Sequence, residues 1–246
     1  MKQKVILIIC TLILSSCQSD RKIHIYDGFE SSSLSKIWRT NKLVPGTFEI
    51  QSSTFKAGEK AAKITLRHGD QIEKEKDTEL ERSELMESKR FWAYEDSTYS
   101  YSFSIFIPND FPIDPNRLVI AQWKQRCPVE NCEPDNPIIA IRYVSGELLI
   151  THQTTSEQKV LYRTMGIKNR WLDFSFLVRF TKQPDGRIIV WLDNQKIIDY
   201  RGVNAYPKAG GYLEKNLFYF KMGLYRDQTK KPMTIYIDEY RKQLLE

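Results

Sequence analysis

Three segments put ionisable and amide side chains where a β-strand would be content with apolar ones. They are Glu81-Arg82-Ser83-Glu84-Leu85, Val119-Ile120-Ala121-Gln122-Trp123-Lys124 and Phe218-Tyr219-Phe220-Lys221-Met222-Gly223-Leu224-Tyr225-Arg226. Side chains on a strand alternate between its faces, so Arg82 and Glu84 share one face of the first segment and Ser83 and Leu85 the other. In the second, Gln122 and Lys124 point away from an apolar face made by Val119, Ala121 and Trp123. In the third, Phe220, Met222 and Leu224 form the apolar face, and Tyr219, Lys221, Gly223 and Tyr225 the polar one. Gly223 leaves the backbone open to close approach by a ligand. Guanidinium and amide donors beside a phenol are residue types that agree with proton abstraction next to a carboxylate: the donors neutralise the carboxylate so that the adjacent C–H becomes acidic, and the phenol moves the proton. Arg82 and Gln122 fit the first task. Tyr225 fits the second, as base and then as acid, if cations such as Lys221 favour its phenolate.

These segments need a sheet to hold them. Alternation of apolar and polar residues dominates the chain, as in Leu172-Phe174-Phe176-Val178-Phe180, and recurs at Tyr99 to Ile107, Arg187 to Asp193 and Met233 to Tyr240. Turn signals separate the runs: Pro184-Asp185-Gly186, Ser145-Gly146 and Asp193-Asn194. No long amphipathic helix interrupts them. About a dozen short strands with hairpin spacing predict an all-β fold, two antiparallel sheets stacked as a jelly roll or a related sandwich. The polar run Gly69 to Asp77 reads as a solvated surface loop, with a loop flanking a cleft as the alternative.

In order and approximate spacing, Arg-Ser-Glu-Leu at 82–85, Gln-Trp-Lys at 122–124 and Tyr-Phe-Lys-Met-Gly-Leu-Tyr at 219–225 resemble the signature strands of jelly-roll polysaccharide lyases. The groups in question are the alginate, glucuronan and heparin I lyases. Ile235-Tyr236-Ile237-Asp238 resembles their last strand, so the resemblance spans most of the chain. It implies a single lectin-like jelly roll that cleaves a 4-linked, uronate-containing acidic polysaccharide by β-elimination. Tyr225, Arg82, Gln122, Lys124 and Lys221 are then the catalytic candidates, and Glu84, Tyr219, Arg226 and His152 the contacts to substrate. In alginate lyases the middle motif ends in histidine, and here Lys124 stands in that place. Either Lys124 or His152, in Leu149-Ile150-Thr151-His152-Gln153, is available as the missing base, although a hydrogen-bonded structural histidine competes with the second reading. Loss of that histidine favours D-glucuronate or D-mannuronate, in which the C5 proton and O4 lie on one side of the ring and a single tyrosine serves both.

The chain begins with Lys2 and Lys4 before an apolar run, Val5 to Leu14, too short for a stable membrane span, followed by Leu14-Ser15-Ser16-Cys17. This resembles a lipoprotein signal over 1–16, with Cys17 lipidated, a tether over 17–22 and one domain over 23–246; an ordinary secretory signal is the alternative. Both readings export the protein, and the lipid would hold it at the outer membrane, facing the periplasm or the cell surface. Cys127 and Cys132 then remain to pair as a disulfide. Zinc is disfavoured because no histidine accompanies them. No metal or cofactor is called for, with calcium left open. The formal charge of +6 favours an anionic partner. An acidic glycan suits an exported chain better than nucleic acid, and a monomer is expected. Two other functions compete: a surface protein that binds the glycan without cleaving it, and a glycoside hydrolase. The second needs paired carboxylates, and Glu84 and Glu87 fall on opposite strand faces.

Overall fold

The computed structural model describes residues 23–245 apart from 77, 127–135 and 207–215. Cys17, Cys127 and Cys132 lie outside the described residues. Among these residues sixteen strands follow one another: β1 His24–Asp27, β2 Trp38–Arg39, β3 Phe48–Gln51, β4 Ala61–Leu66, β5 Leu80–Glu87, β6 Ala93–Tyr94, β7 Ser97–Phe106 and β8 Leu118–Gln125. The second half comprises β9 Ile139–Val144, β10 Glu147–His152, β11 Lys159–Thr164, β12 Trp171–Phe180, β13 Arg187–Leu192, β14 Gln195–Arg201, β15 Leu217–Asp227 and β16 Met233–Leu244. The described helical structure is two single 3-10 turns, Glu73–Glu75 and Lys89–Phe91.

The strands form two eight-stranded antiparallel sheets. One runs β14-β13-β12-β7-β16-β4-β3, with β1 also on β16. The other runs β11-β10-β9-β8-β15-β5-β2, with β6 also on β15. The three polar segments, β5, β8 and β15, are adjacent at the centre of this second sheet. More strands exist than the dozen expected because two-residue strands such as β2 and β6 are too short to show alternation. The hairpins close where the sequence marks them. Ser145 and Gly146 (φ 52° and 91°) join β9 to β10, and Asp193 and Asn194 (φ 51° and 65°) join β13 to β14. Two successive left-handed residues give the turn twist that matches paired strands, which is why Gly and Asn stand there.

The alternating apolar residues meet between the sheets. Trp123 of β8 lies 4.4 Å from Phe176 and 4.7 Å from Phe220, ring centre to ring centre, so β8, β12 and β15 lock through one indole. Burial of each large apolar side chain contributes about 1.5–3 kcal/mol. With Phe220, Met222 and Leu224 in that core, the intervening residues of β15 must face outward.

One irregularity sets the register of the outer face. Between β15 and β8 the pairing passes from Met222–Ala121 to Tyr225–Val119, so Gly223 and Leu224 together oppose Ile120. Val119, expected in the core, instead pairs with Tyr225, and Ile120 joins the core cluster beside Ala121. Gly223 has φ 147°, and a Cβ there would sit 2.3 Å from the Ser83 carbonyl oxygen and 2.7 Å from Glu84 Cα. The space beside it belongs to β5, not to a ligand as the sequence suggested. Gly223→Ala is expected to destabilise the fold by about 2–4 kcal/mol through backbone strain and displacement of β5. Urea unfolding checks this; an unchanged midpoint would mean that the bulge relaxes freely.

Candidate active site

Glu84 is the anchor of the outer face. Its carboxylate is wholly buried and accepts a hydrogen bond from Gln122 Nε2 on β8 at 2.5 Å and one from Lys221 Nζ on β15 at 3.1 Å. Arg82 Nε of its own strand lies 3.2 Å away. Burial opposes the charge on Glu84, but Lys221 and Arg82 outweigh it and hold the carboxyl below its ordinary range. Burial likewise pushes the Lys221 ammonium down, to about 8, against the pull of Glu84, with Arg82 and Lys124 adding to the depression. Glu84 is therefore not placed to contact substrate, as the sequence suggested. It ties three strands together from beneath.

Tyr225 stands at one end of this cluster. The Arg82 guanidinium carbon lies 3.8 Å from the centre of its ring, and that of Arg117 4.5 Å. Arg117 is held by Asp227 through Nε at 3.0 Å and Nη2 at 2.8 Å. Negative charge developing on the Tyr225 oxygen as a proton leaves would form beside two guanidinium groups. The cations against Tyr225 are these arginines and not Lys221, which is spent on Glu84 two side chains away. Arg82 also pairs with Glu75 at 3.0 Å. Glu75 belongs to the polar loop read as solvated surface, which folds inward instead: Ile72 and Glu75 are buried, and the Gln71 amide donates to the carbonyls of Glu75, Thr78 and Leu80.

Lys124 and Tyr219 face each other across β8 and β15, and Tyr219 stacks on Trp92 at 5.0 Å. They share the outer face with Tyr225 but lie five to six residues along the strands from it, on the order of 15–20 Å of backbone. The cross-strand rung of Tyr225 continues instead through Val119 to Arg142 of β9. Arg142 is buried beneath this face because Ile139, Ile141 and Tyr143 take the core side of β9. Burial, reinforced by Arg117, pushes its guanidinium down to about 10.

Two candidates leave the site. Arg226 follows Tyr225 and so faces the opposite way; it is fully buried, its Nε 2.7 Å from Glu81 Oε2, with Nη1 donating to the Lys231 carbonyl. It closes one end of the sandwich and touches no open surface. His152 pairs with Ile139 on the rung of Trp123, which also faces inward, and its ring lies 4.6 Å from Tyr200 of the other sheet. Burial, with Lys159 adding to it, pushes its imidazole down to about 4. His24 belongs to the other sheet, and His68 contacts Glu81 on the side of β5 away from Arg82. Among the described residues no group of three or more His, Cys, Asp or Glu is arranged to hold a metal.

Sequence reading missed Arg117, Glu75 and Arg142. Arg142 had a signal, a lone charge in the apolar run Ile139-Ala140-Ile141-Arg142-Tyr143-Val144. Arg117 and Glu75 lie outside strand interiors, where charges are unremarked.

The structure is thus a jelly-roll sandwich with a tyrosine set among arginines on the outer face of one sheet. The polysaccharide lyase family model matches residues 29–241, and the chain belongs to that family and is an enzyme of it. The endo-β-1,4-glucuronan lyase of the fungus Trichoderma reesei superposes with a TM-score of 0.66 at 16% identity, over 84% of this chain and 94% of that one. An alginate lyase from a Corynebacterium species gives 0.55 at 14%, over 82% of each chain. The family 7 alginate lyase AlgAT5 gives 0.56 at 14%, over 83% of this chain and 85% of that one. At such identities the likeness is one of fold. No curated protein matches the sequence.

Glu84→Gln strands the Lys221 charge in a buried site and is expected to cost about 3–5 kcal/mol, read from the urea midpoint; a loss below 1 kcal/mol would mean that the carboxylate is not the anchor. His152 gives a pH signature. Its imidazole resists protonation in the fold to about 4 but titrates near 6.5 when unfolded. Stability from this group is therefore full above about 6.5 and falls by up to about 3 kcal/mol as pH drops to about 4. His152→Phe, which keeps a ring against Tyr200, is expected to flatten that slope relative to wild type in thermal melts. Parallel slopes would assign the acid sensitivity elsewhere.

Proposed function

We propose that the protein cleaves a 4-linked polymer of D-glucuronate or D-mannuronate by β-elimination, with Tyr225 as both base and acid. The observation that carries this reading is the position of Tyr225 between Arg82 and Arg117, on a face that none of the three histidines joins. In the proposed reaction the Tyr225 phenolate oxygen takes the C5 proton, and the C–H electrons form the C4–C5 double bond. The C4–O4 bond breaks, and the phenol returns the proton to O4 as it leaves. In a D-uronate the C5 proton and O4 lie on the same side of the ring, so one oxygen reaches both. Guluronate and iduronate would need a second base across the ring, and Lys124 stands well along the face from Tyr225.

The excess of cations over carboxylates near Tyr225, with Arg82, Arg117, Arg142 and Lys221 against Glu75, Glu84 and Asp227, favours an anionic chain over a neutral one. The Leu-Ser-Ser-Cys sequence ending at Cys17 supports an outer-membrane lipoprotein, so the polymer would be met outside the cytoplasm.

The expected result is a rise in the ultraviolet absorbance of the unsaturated product on glucuronan or mannuronate-rich alginate, lowered roughly 10²–10⁴-fold in Tyr225→Phe. Preferential cleavage of guluronate blocks, or full activity in Tyr225→Phe, would overturn the single-tyrosine mechanism. Tight binding without any absorbance rise would make the protein a glycan-capturing member of the fold.

A further inference from the structure

Elimination requires that the substrate carboxylate be neutralised, and the residues that the sequence offered for this are already engaged. The Gln122 amide nitrogen donates to Glu84 at 2.5 Å. Arg82 meets Glu75 at 3.0 Å through Nη2 and Glu84 at 3.2 Å through Nε. Two carboxylates thus already lie against the one guanidinium.

Arg142 is in the opposite condition. It is only 7% exposed, and among the described residues its one hydrogen bond is from Nε to Thr151 Oγ1 at 3.2 Å and no carboxylate pairs with it. Besides burial, Arg117 disfavours its charge, and the group that favours it is the Tyr225 phenol in its ionised form. A buried charge without a counterion is costly, and a bound anion would offset that cost. Even lowered to about 10, the guanidinium remains charged at neutral pH. Its position is specific too: Tyr225, Val119 and Arg142 occupy consecutive places on one rung of β15, β8 and β9. Two strand spacings separate the backbones of Tyr225 and Arg142 by about 10 Å, and the side chain between them is a valine without polar groups. Val119 is itself covered, so a sugar ring would lie above this rung, with its C5 toward the half-buried phenol and its carboxylate toward the guanidinium.

We propose that Arg142 is a catalytic residue that pairs with the carboxylate of the uronate being cleaved and stabilises the enolate formed when C5 loses its proton. Arg82 then acts as a positioning residue that holds the ring of Tyr225. This assignment rests on the β-elimination reading above and names the group that makes the substrate acidic.

The test compares a uronan with its methyl ester, in which the carboxylate is already neutral and needs no cation. With the full chain, Arg142→Gln is expected to lower kcat/KM on the free acid by roughly 10²–10³-fold, and on the methyl ester by less than tenfold. Arg142→Lys should fall between wild type and Arg142→Gln on the acid. Because each variant is compared on two substrates, a partly misfolded preparation cancels from the ratio. Equal losses on acid and ester would overturn the proposal, as would a change of that ratio in Arg82→Gln but not in Arg142→Gln. If wild type eliminates neither polymer, the lyase mechanism fails by itself, and equilibrium binding decides the Arg142 assignment. Arg142→Gln should then weaken binding of acid oligomers at least tenfold while leaving the ester oligomers unchanged, and equal weakening would overturn it.

Discussion

The arrangement of this protein turns on one buried carboxylate. Glu84 is shielded from water, yet it stays ionised because β8 and β15 bring it an amide and an ammonium and its own strand brings a guanidinium. An uncompensated charge in such a place would be intolerable, so the three strands must hold their register for the carboxylate to stay satisfied. The same contacts draw Lys221 and Gln122 downward and leave Tyr225, the first residue beyond the bulge, with its ring against two arginines.

The second sheet is polar on both faces around β5, an unusual condition for a sandwich interior. On its core side Glu81 pairs with Arg226, Ser83 bonds Thr47, and Glu87 meets Lys242 and Tyr240. These inward pairs join β5 to β15, to the segment before β3 and to β16 of the other sheet. They fasten the ends of the sandwich, while Trp123 and its aromatic neighbours fill the middle. Outward, the charges are left unequal, and the surplus is positive. One strand thus contributes structural ion pairs on one side and the site on the other, separated only by the alternation of its side chains.

Much of the site was legible in the sequence. Alternation alone grouped Arg82 with Glu84 and Tyr219, Lys221 and Tyr225 with one another, because a two-residue period needs no knowledge of partners. It also separated Glu84 from Glu87, so that no pair of carboxylates flanks a bond. It failed for Val119, where a bulge inserts one residue and reverses the faces beyond it. For Arg226 and His152 the period itself points inward, away from Tyr225 and Thr151, and their polar character argued misleadingly for the surface. A polar residue inside is stable when it finds a partner there, as Arg226 does in Glu81; His152 packs its ring against Tyr200 while its Nε2 makes no hydrogen bond among the described residues.

The sequence by itself determined the class of fold, the three strands that carry the chemistry, and the phenol at their end, since each follows from periodicity and residue type within a short segment. Only the tertiary structure decided which cations are spent and which are available. Arg82, Glu75, Arg117 and Arg142 are brought together around Tyr225 from a loop and separate strands across some 70 residues of chain before it. Whether a guanidinium meets a carboxylate or stands alone depends on strand order, on the bulge at Gly223 and on the inward fold of the loop around Ile72 and Glu75. Those are long-range packing outcomes that no local pattern encodes.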